Sequence, residues 1–180
     1  MTEPQRVTIY ASAYDRSPGA SHRLLRQAAQ LYVPSLTELT LASGEHGKPY
    51  FADAPQLHFS ISHSGEHWLC AFSDAPVGLD VQQHRACQMQ ALVRRFFAPA
   101  ERIFLEQTGY APFFDLWCAK ESYLKYTGEG LSGLETVCTV SETGGFPSIP
   151  GVSLRLLPLL TGCSACVCTA APAEIRTQAL

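Results

Sequence analysis

The amino-acid sequence predicts an α+β fold in two parts, residues 1–77 and 78–180. Both parts contain helical and strand-like patterns, and the order of helices followed by strands is approximately the same in each. Of the 180 residues, 46% are hydrophobic and 16% are charged, which favours a packed core over a disordered chain.

In the first part, polar and apolar residues alternate over residues 6–13 and 57–62, which predicts two strands with one buried face each. Ser21 is placed to cap a helix from His22 to Tyr32, and residues 43–50 have the composition of a turn-rich loop. Three further stretches have the pattern of short strands: Leu36–Leu41, Trp68–Phe72 and Val77–Val81.

The second part opens with three predicted helices, Met89–Phe97, Glu101–Gln107 and Phe113–Tyr126. Proline at position 99 suits the first turn of the second of these helices. We expect the tail from Pro172 to be frayed. Three strand-like stretches precede the tail: Glu135–Val140, Val152–Leu157 and Ala165–Ala170.

The formal net charge of −3 excludes a general attraction to nucleic acid or to an anionic membrane. No apolar run approaches the ~20 residues that cross a bilayer. Residues 1–6 lack the apolar segment of a signal peptide, so we expect a soluble, cytoplasmic protein.

Seven cysteines, an odd number, argue against a framework of disulfides. Cys163, Cys166 and Cys168 are spaced like metal ligands, but a zinc site usually needs a second pair at defined spacing. We therefore interpret them as small apolar residues of a buried strand.

The most informative segment is the predicted helix over residues 117–125, which ends before Gly128. Glu121 and Lys125 are one turn apart, so they lie on the same side of the helix, ~6 Å apart along its axis. Such a pair can stabilise a surface helix, or it can hold a cation and a phosphate. The pattern leaves both interpretations open.

Three other segments are individually unspecific. Residues 47–49, Gly-Lys-Pro, are typical of a turn, and the serines and histidine of residues 60–64 can cap local backbone groups at a strand end. The Gly-Leu-Asp sequence within residues 77–82 is compatible with an ordinary solvated strand terminus.

Taken together, in this order and spacing, these segments resemble the Sfp-type 4′-phosphopantetheinyl transferases. The resemblance extends from Gly47 to about Leu131, and the Lys-Glu-Ser sequence of the helix is its most specific part. Residues 95–101 are also similar to the family's Phe-x-x-x-Glu entry into its helical segment.

The resemblance implies two similar α+β halves that form a pseudo-dimer in one chain, with coenzyme A in the cleft between them. It implies a monomeric, Mg²⁺-dependent enzyme that transfers 4′-phosphopantetheine from coenzyme A to a serine of an apo carrier protein and releases adenosine 3′,5′-bisphosphate. Carrier proteins of this kind serve fatty-acid, polyketide or non-ribosomal peptide synthesis. Nucleic acid and membrane are not expected partners.

By the same resemblance, Asp80 and Glu121 match the metal-binding carboxylates of the family. Glu121 would also help to remove the serine proton, and Lys125 would neutralise the phosphate, so these three residues are the catalytic candidates. Many relatives carry glutamate two positions after the aspartate, whereas this chain has Gln82. We expect Gln82 to coordinate Mg²⁺ weakly through its carbonyl oxygen, or a water to fill its place.

Contacts with coenzyme A are assigned by the resemblance to a further set: Lys48, Pro49, Ser62, His63, Lys120, Lys125 and Arg23. Three of them have ordinary alternatives. His63 can be a satisfied histidine at a strand end, and Lys120 and Arg23 can be surface charges of their helices.

Two other functions compete with the transferase: a non-catalytic protein that binds a carrier protein or coenzyme A, and a metal-dependent phosphohydrolase. Gln82 is the one feature that supports the first. A hydrolase usually carries more Asp and His ligands than this chain shows. Arg94 and Arg95, next to aromatic residues, are candidates for contact with an acidic carrier; the alternative is a solvated helix face.

Overall fold

The computed structural model describes residues 3–36, 39–44 and 46–180. In these ranges the helices are α1 (Ala20–Tyr32), α2 (Met89–Phe96), α3 (Pro99–Gln107) and α4 (Phe113–Thr127), with a short 3-10 helix at Leu131–Gly133. The strands are β1 (Arg6–Ala13), β2 (Leu41–Ser43), β3 (Pro49–Phe51), β4 (His58–Ser64), β5 (His67–Ser73), β6 (Gly78–Gln83), β7 (Ser153–Leu156), β8 (Cys163–Thr169) and β9 (Glu174–Ala179). The predicted α+β class is confirmed.

The first sheet has the strand order β4–β5–β1–β9. Strand β1 is antiparallel to β5 and parallel to β9. Helix α1 covers this sheet, and Leu25 and Ala28 of the helix share a buried cluster with Trp68 and Phe72 of β5. The predicted boundary at residues 77/78 stays a prediction, and β9 brings the last strand of the chain back into this first sheet.

The second sheet is antiparallel, in the order β6–β8–β7, and α4 packs on β6 and β8. A Cβ atom at Gly78 would overlap with the backbone carbonyl of Ser122 on α4. The glycine therefore permits the close approach of helix and strand that brings Asp80 beside Glu121. Strands β2 and β3 form a separate hairpin-like pair.

Most predicted helices and strands are confirmed within one or two residues at their ends, but three predictions at the ends of elements were wrong. Helix α1 begins at Ala20, after Gly19 in a left-handed conformation, and the Ser21 hydroxyl accepts a hydrogen bond from Trp68 instead of capping the helix. The tail is not frayed, because β9 pairs with β1. Part of the predicted strand Leu36–Leu41, residues 37–38, lies outside the described residues, and β2 begins only at Leu41.

The predicted strand Glu135–Val140 is absent, and the segment forms turns and irregular backbone. Side chains satisfy its polar backbone groups. The Val137 carbonyl accepts a hydrogen bond from Lys120, and the Thr139 N–H donates to the Glu101 carboxylate at 2.8 Å. With these partners the segment needs no neighbouring strand.

The cysteines of the C-terminal segment lie in β8, as predicted, and Cys166 and Cys168 are buried. All seven thiols of the chain are free. No helix in the described ranges combines the length and the apolar character that crossing a membrane requires.

Candidate active site

A cavity of about 870 Å³ lies between β4, β6, α1 and α4. Its walls come from both parts of the chain. Asp80, Glu121, Lys125, Lys48 and His63 all line it. Residues that are distant in sequence and that the motif analysis singled out are thus brought to one cavity.

Asp80 is the central carboxylate of the cavity. It lies on β6, is only 2% exposed, and accepts three hydrogen bonds. Oδ1 accepts one from the Ser62 hydroxyl at 2.7 Å and one from Lys125 Nζ at 2.7 Å. Oδ2 accepts a single, longer one from the Gln82 amide at 3.1 Å. Asp80 is held in place by its partners, and Oδ2 is its less engaged oxygen.

Glu121 differs from Asp80 in its surroundings. Its side chain is 7% exposed and faces the cavity, and no described residue donates a hydrogen bond to its carboxyl group. The pKa of Glu121 is raised to about 7, chiefly by burial and further by the charge of Asp80, while Lys125 partly opposes the shift. Lys125 lies one turn after Glu121, but its ion pair is with Asp80.

Lys120 is not a cavity residue and not a surface charge, contrary to both sequence interpretations. Its ammonium group is completely buried and forms an ion pair of 2.6 Å with Glu101 of α3. It also donates to the Val137 carbonyl. The assignment of Lys120 to coenzyme A is therefore corrected: the side chain fastens α4 to α3 and to the segment around Val137.

Lys48, Pro49 and His63 line the cavity. Lys48 is half-buried and donates to the Tyr126 carbonyl at 3.1 Å, and burial lowers the pKa of Lys48 below its ordinary value. The His63 ring is exposed and stacks on Tyr14, with centroids 4.6 Å apart. Lys48 and His63 each have a polar group available to a phosphate.

Arg23 does not line this cavity, and its assignment to the ligand stays a prediction. Its guanidinium group is exposed and donates to the Pro18 carbonyl and the Ser17 hydroxyl. The helix turns Arg23 away while its neighbour His22 lines the cavity. His46 and Arg85 also line the cavity, and they were missed because they belong to no motif and lie in irregular segments.

Part of the cavity lining is apolar. It includes Leu92 of α2 and Phe113, Phe114 and Trp117 of α4. The charged residues can receive a charged group, and these apolar side chains suit an uncharged part of a ligand.

The donor atoms beside Asp80 fit Mg²⁺. Asp80 and Glu121 offer hard carboxylate oxygens, and Gln82 offers an amide oxygen, which are the ligand types that Mg²⁺ prefers while it keeps several waters. Among the described residues, no cluster of three or more His, Cys, Asp or Glu is arranged to hold a metal ion. Two carboxylates and one amide are therefore what this part of the chain supplies.

Known proteins are similar to this chain over the segment that contains Asp80, Glu121 and Lys125. Residues 76–153 match the family model of the 4′-phosphopantetheinyl transferase superfamily. The chain is 38% identical over 107 residues to the 4′-phosphopantetheinyl transferase Sfp of Bacillus subtilis (strain 168), which covers 56% of this chain and 46% of that protein.

Two further relatives give a similar result. The 4′-phosphopantetheinyl transferase psf-1 of Bacillus pumilus is 35% identical over 127 residues, covering 64% of this chain and 52% of that protein. The 4′-phosphopantetheinyl transferase HetI of Nostoc sp. is 33% identical over 136 residues, covering 69% and 57% respectively. The chain spans about half the length of the curated relatives it matches.

Proposed function

We propose, since the chain belongs to the Sfp-type 4′-phosphopantetheinyl transferase family, that it transfers 4′-phosphopantetheine from coenzyme A to a serine of an apo carrier protein. Adenosine 3′,5′-bisphosphate is the leaving product. The observation that carries the proposal is the convergence of Asp80, Glu121 and Lys125 in one cavity, which Lys48 and His63 also line. A diphosphate needs this mixture of carboxylates for a cation and fixed positive charges.

The two α+β parts, 1–77 and 78–180, act in this proposal as the halves of a pseudo-dimer with coenzyme A between them. The lining of the cavity by β4 from the first part and by β6 and α4 from the second supports it. A single chain then supplies both walls, so the enzyme works as a monomer.

Asp80 and Glu121 would hold Mg²⁺, with Gln82 beside them. When bound, the ion neutralises charge on the diphosphate. The Gln82 amide nitrogen now donates to Asp80, and its oxygen accepts from the Ser64 hydroxyl at 3.5 Å. Gln82 therefore has to turn its amide over to present an oxygen to the ion.

Glu121 and Lys125 have different roles in the proposed reaction: Glu121 accepts a proton, and Lys125 stabilises negative charge. The attacking serine loses its proton as its oxygen bonds to the β-phosphorus of coenzyme A, and Glu121 faces the cavity with a carboxylate free to accept that proton. The bond from this phosphorus to the oxygen of the leaving bisphosphate breaks. Lys125, now paired with Asp80, is placed to stabilise the negative charge that develops there.

Lys48 and His63, with Pro49 beside them, contact the phosphates or the adenine of coenzyme A. The ammonium group of Lys48 donates to the Tyr126 carbonyl and keeps further N–H donors for a phosphate. His63 needs only an N–H donor for this role and does not act as a base. The histidines His22 and His46 also line the cavity and offer further donors.

A direct assay tests the transferase. The protein is incubated with coenzyme A, Mg²⁺ and an apo carrier protein, and the carrier is weighed by mass spectrometry. The expected result is a phosphopantetheine adduct on the carrier. The adduct should not form when EDTA is present from the start. An unmodified carrier in a stable complex would identify a binding protein instead, and coenzyme A cleaved without an adduct would identify a hydrolase.

A further inference from the structure

Strands β4 and β6 belong to different sheets, and serine side chains join them. The serines stand at alternate positions of β4, so all three face β6. Each hydroxyl oxygen accepts a hydrogen bond from a backbone N–H of β6: Ser60 from Leu79 at 2.9 Å, Ser62 from Val81 at 3.1 Å and Ser64 from Gln83 at 3.0 Å. We call these three serines the serine seam.

Ser62 has a second contact that Ser60 lacks. Its hydroxyl donates to Asp80 Oδ1 at 2.7 Å, and the side chain is 5% exposed. A serine hydroxyl has a single hydrogen, so Ser62 cannot donate to a ligand phosphate while it donates to Asp80. Its contact with the proposed ligand is thus indirect.

The two oxygens of Asp80 differ for this reason. Ser62 and Lys125 both bond to Oδ1, whereas Oδ2 accepts only the longer bond from Gln82. Oδ2 is the oxygen that a cation can reach by displacing one neutral amide. Hydrogen bonds that fix a ligating carboxylate in this way commonly strengthen metal binding.

We infer that Ser62 is a positioning residue: it fixes Asp80 through Oδ1 across the seam, so that Oδ2 is presented with Glu121 to a divalent cation. The inference rests on the cation site of the proposed function. It assigns Ser62 to the orientation of the metal ligand, not to coenzyme A.

The test measures cation binding by the free protein, without coenzyme A or carrier. Mn²⁺ is the probe, since it shares the preference of Mg²⁺ for oxygen ligands and its free form is counted by electron paramagnetic resonance. Ser62→Ala should bind Mn²⁺ about tenfold more weakly than the wild type. Ser62→Thr keeps the hydroxyl and should restore most of the affinity.

Ser60→Ala is the matched control, because it loses the same kind of bond to the β6 backbone but does not touch Asp80. It should change Mn²⁺ affinity by less than about twofold. Equal losses in Ser60→Ala and Ser62→Ala, or an unchanged affinity in Ser62→Ala, would overturn the inference, as would a wild type that binds no Mn²⁺.

Thermal unfolding of each variant separates loss of fold from loss of orientation. If Ser62→Ala does not fold, Ser62→Cys replaces it, since a thiol has similar volume but donates weakly, and the same tenfold loss is expected. Failure of the wild type to form the carrier adduct would overturn the proposed function, yet leave the Mn²⁺ comparison intact. The two failures are thereby distinguishable.

Discussion

Lys120 and Glu121 are neighbours on α4, yet they lie in opposite environments. The Lys120 ammonium group is closed in between α3 and the segment around Val137, with every donor directed at a protein acceptor or buried against protein. The Glu121 carboxyl faces an open cavity and has no hydrogen-bond donor among the described residues. Of these two adjacent charged residues, Lys120 is thus bound inside the protein, and Glu121 is the one for which a role in the chemistry is proposed.

Glu101, the ion-pair partner of Lys120, has all its hydrogen-bond partners inside the protein. The Glu101 carboxylate also accepts hydrogen bonds from the Ala98 N–H at 2.9 Å and from both the N–H and the hydroxyl of Thr139 at 2.8 Å. Its charge is fully satisfied inside the protein. On the other side, the ammonium group of Lys125 pairs with Asp80, and the Glu121 carboxyl has no ion-pair partner among the described residues, so a cation can supply one.

Lys120→Met gives the largest expected change. Methionine preserves the volume of the side chain but leaves the Glu101 charge buried without a counter-charge, which lowers the free energy of unfolding by about 3–5 kcal/mol. Urea unfolding followed by circular dichroism measures the change. A loss of less than about 1 kcal/mol would show that the pair is not a structural one.

Lys125→Met is the matched variant on the cavity side. The Lys125 side chain is 29% exposed, and Asp80 keeps donors from Ser62 and Gln82 after the substitution. The free energy of unfolding should fall by about 1 kcal/mol. If Lys125→Met destabilised the protein as much as Lys120→Met, the proposed division between stability and chemistry would be wrong.

Part of this contrast is predictable from the sequence. Helical spacing places Glu121 and Lys125 on one side of α4, and the family resemblance implies that Asp80 belongs to the same site. The actual pairing of Lys125 with Asp80, 45 residues away, depends on how α4 crosses β6. Helical periodicity describes one helix and contains no information about its neighbours.

The direction of the Lys120 side chain, towards α3 and away from the cavity, was missed for a related reason. The sequence of residues 135–140 predicts a strand, but Glu101 and Lys120 bind the backbone of this segment instead. The helix spacing also left the direction of Arg23 open. Its neighbour His22 faces the cavity, and only the packing of α1 on the first sheet decides between them.

Glu121→Gln should slow the transfer reaction. Loss of a ligand and proton acceptor lowers the rate of carrier modification by about 10²–10³-fold, since the amide can neither take the proton nor carry the charge. Adduct formation under single-turnover conditions measures the rate. Glu129→Gln, which changes an exposed glutamate after α4, serves as the control and should keep the wild-type rate.

The raised pKa of Glu121 predicts how stability depends on pH in metal-free protein. The folded state holds a proton at Glu121 up to about pH 7, whereas the unfolded chain releases it near 4.5. Between these values the folded state binds more protons, so the free energy of unfolding falls as pH rises, by on the order of 3 kcal/mol. Glu121→Gln removes this contribution.

Urea unfolding in EDTA from pH 4.5 to 7.5 measures this dependence in both proteins. The stability of Glu121→Gln relative to the wild type should increase steadily with pH across the window. A constant difference would contradict the burial of an ionisable group beside Asp80. Saturating Mg²⁺ should reduce the difference, because the cation favours the ionised carboxylate.

Gln82→Glu changes a side chain that lines the cavity and should have a smaller effect than Glu121→Gln. A third carboxylate adds charge where the amide now donates to Asp80, so Mg²⁺ should half-saturate activity at about tenfold lower concentration. The same variant should lose stability in EDTA through repulsion between the two carboxylates. An unchanged half-saturation would contradict a role for position 82 at the metal.

Replacing Arg94 and Arg95 with glutamate tests a surface outside both environments and should have the smallest effect. Both side chains are exposed on α2, and the Arg95 guanidinium lies 4.9 Å from the centre of the Phe96 ring. If this face meets an acidic carrier, reversing its charge raises the Michaelis constant for the carrier several-fold, most strongly at low salt, because steering between exposed charges is screened. The constant for coenzyme A should stay the same.

Arg26→Glu, on the exposed side of α1, is the matched control. An equal rise in both constants, or in the control, would show that the charge acts on the whole protein and not on carrier recognition.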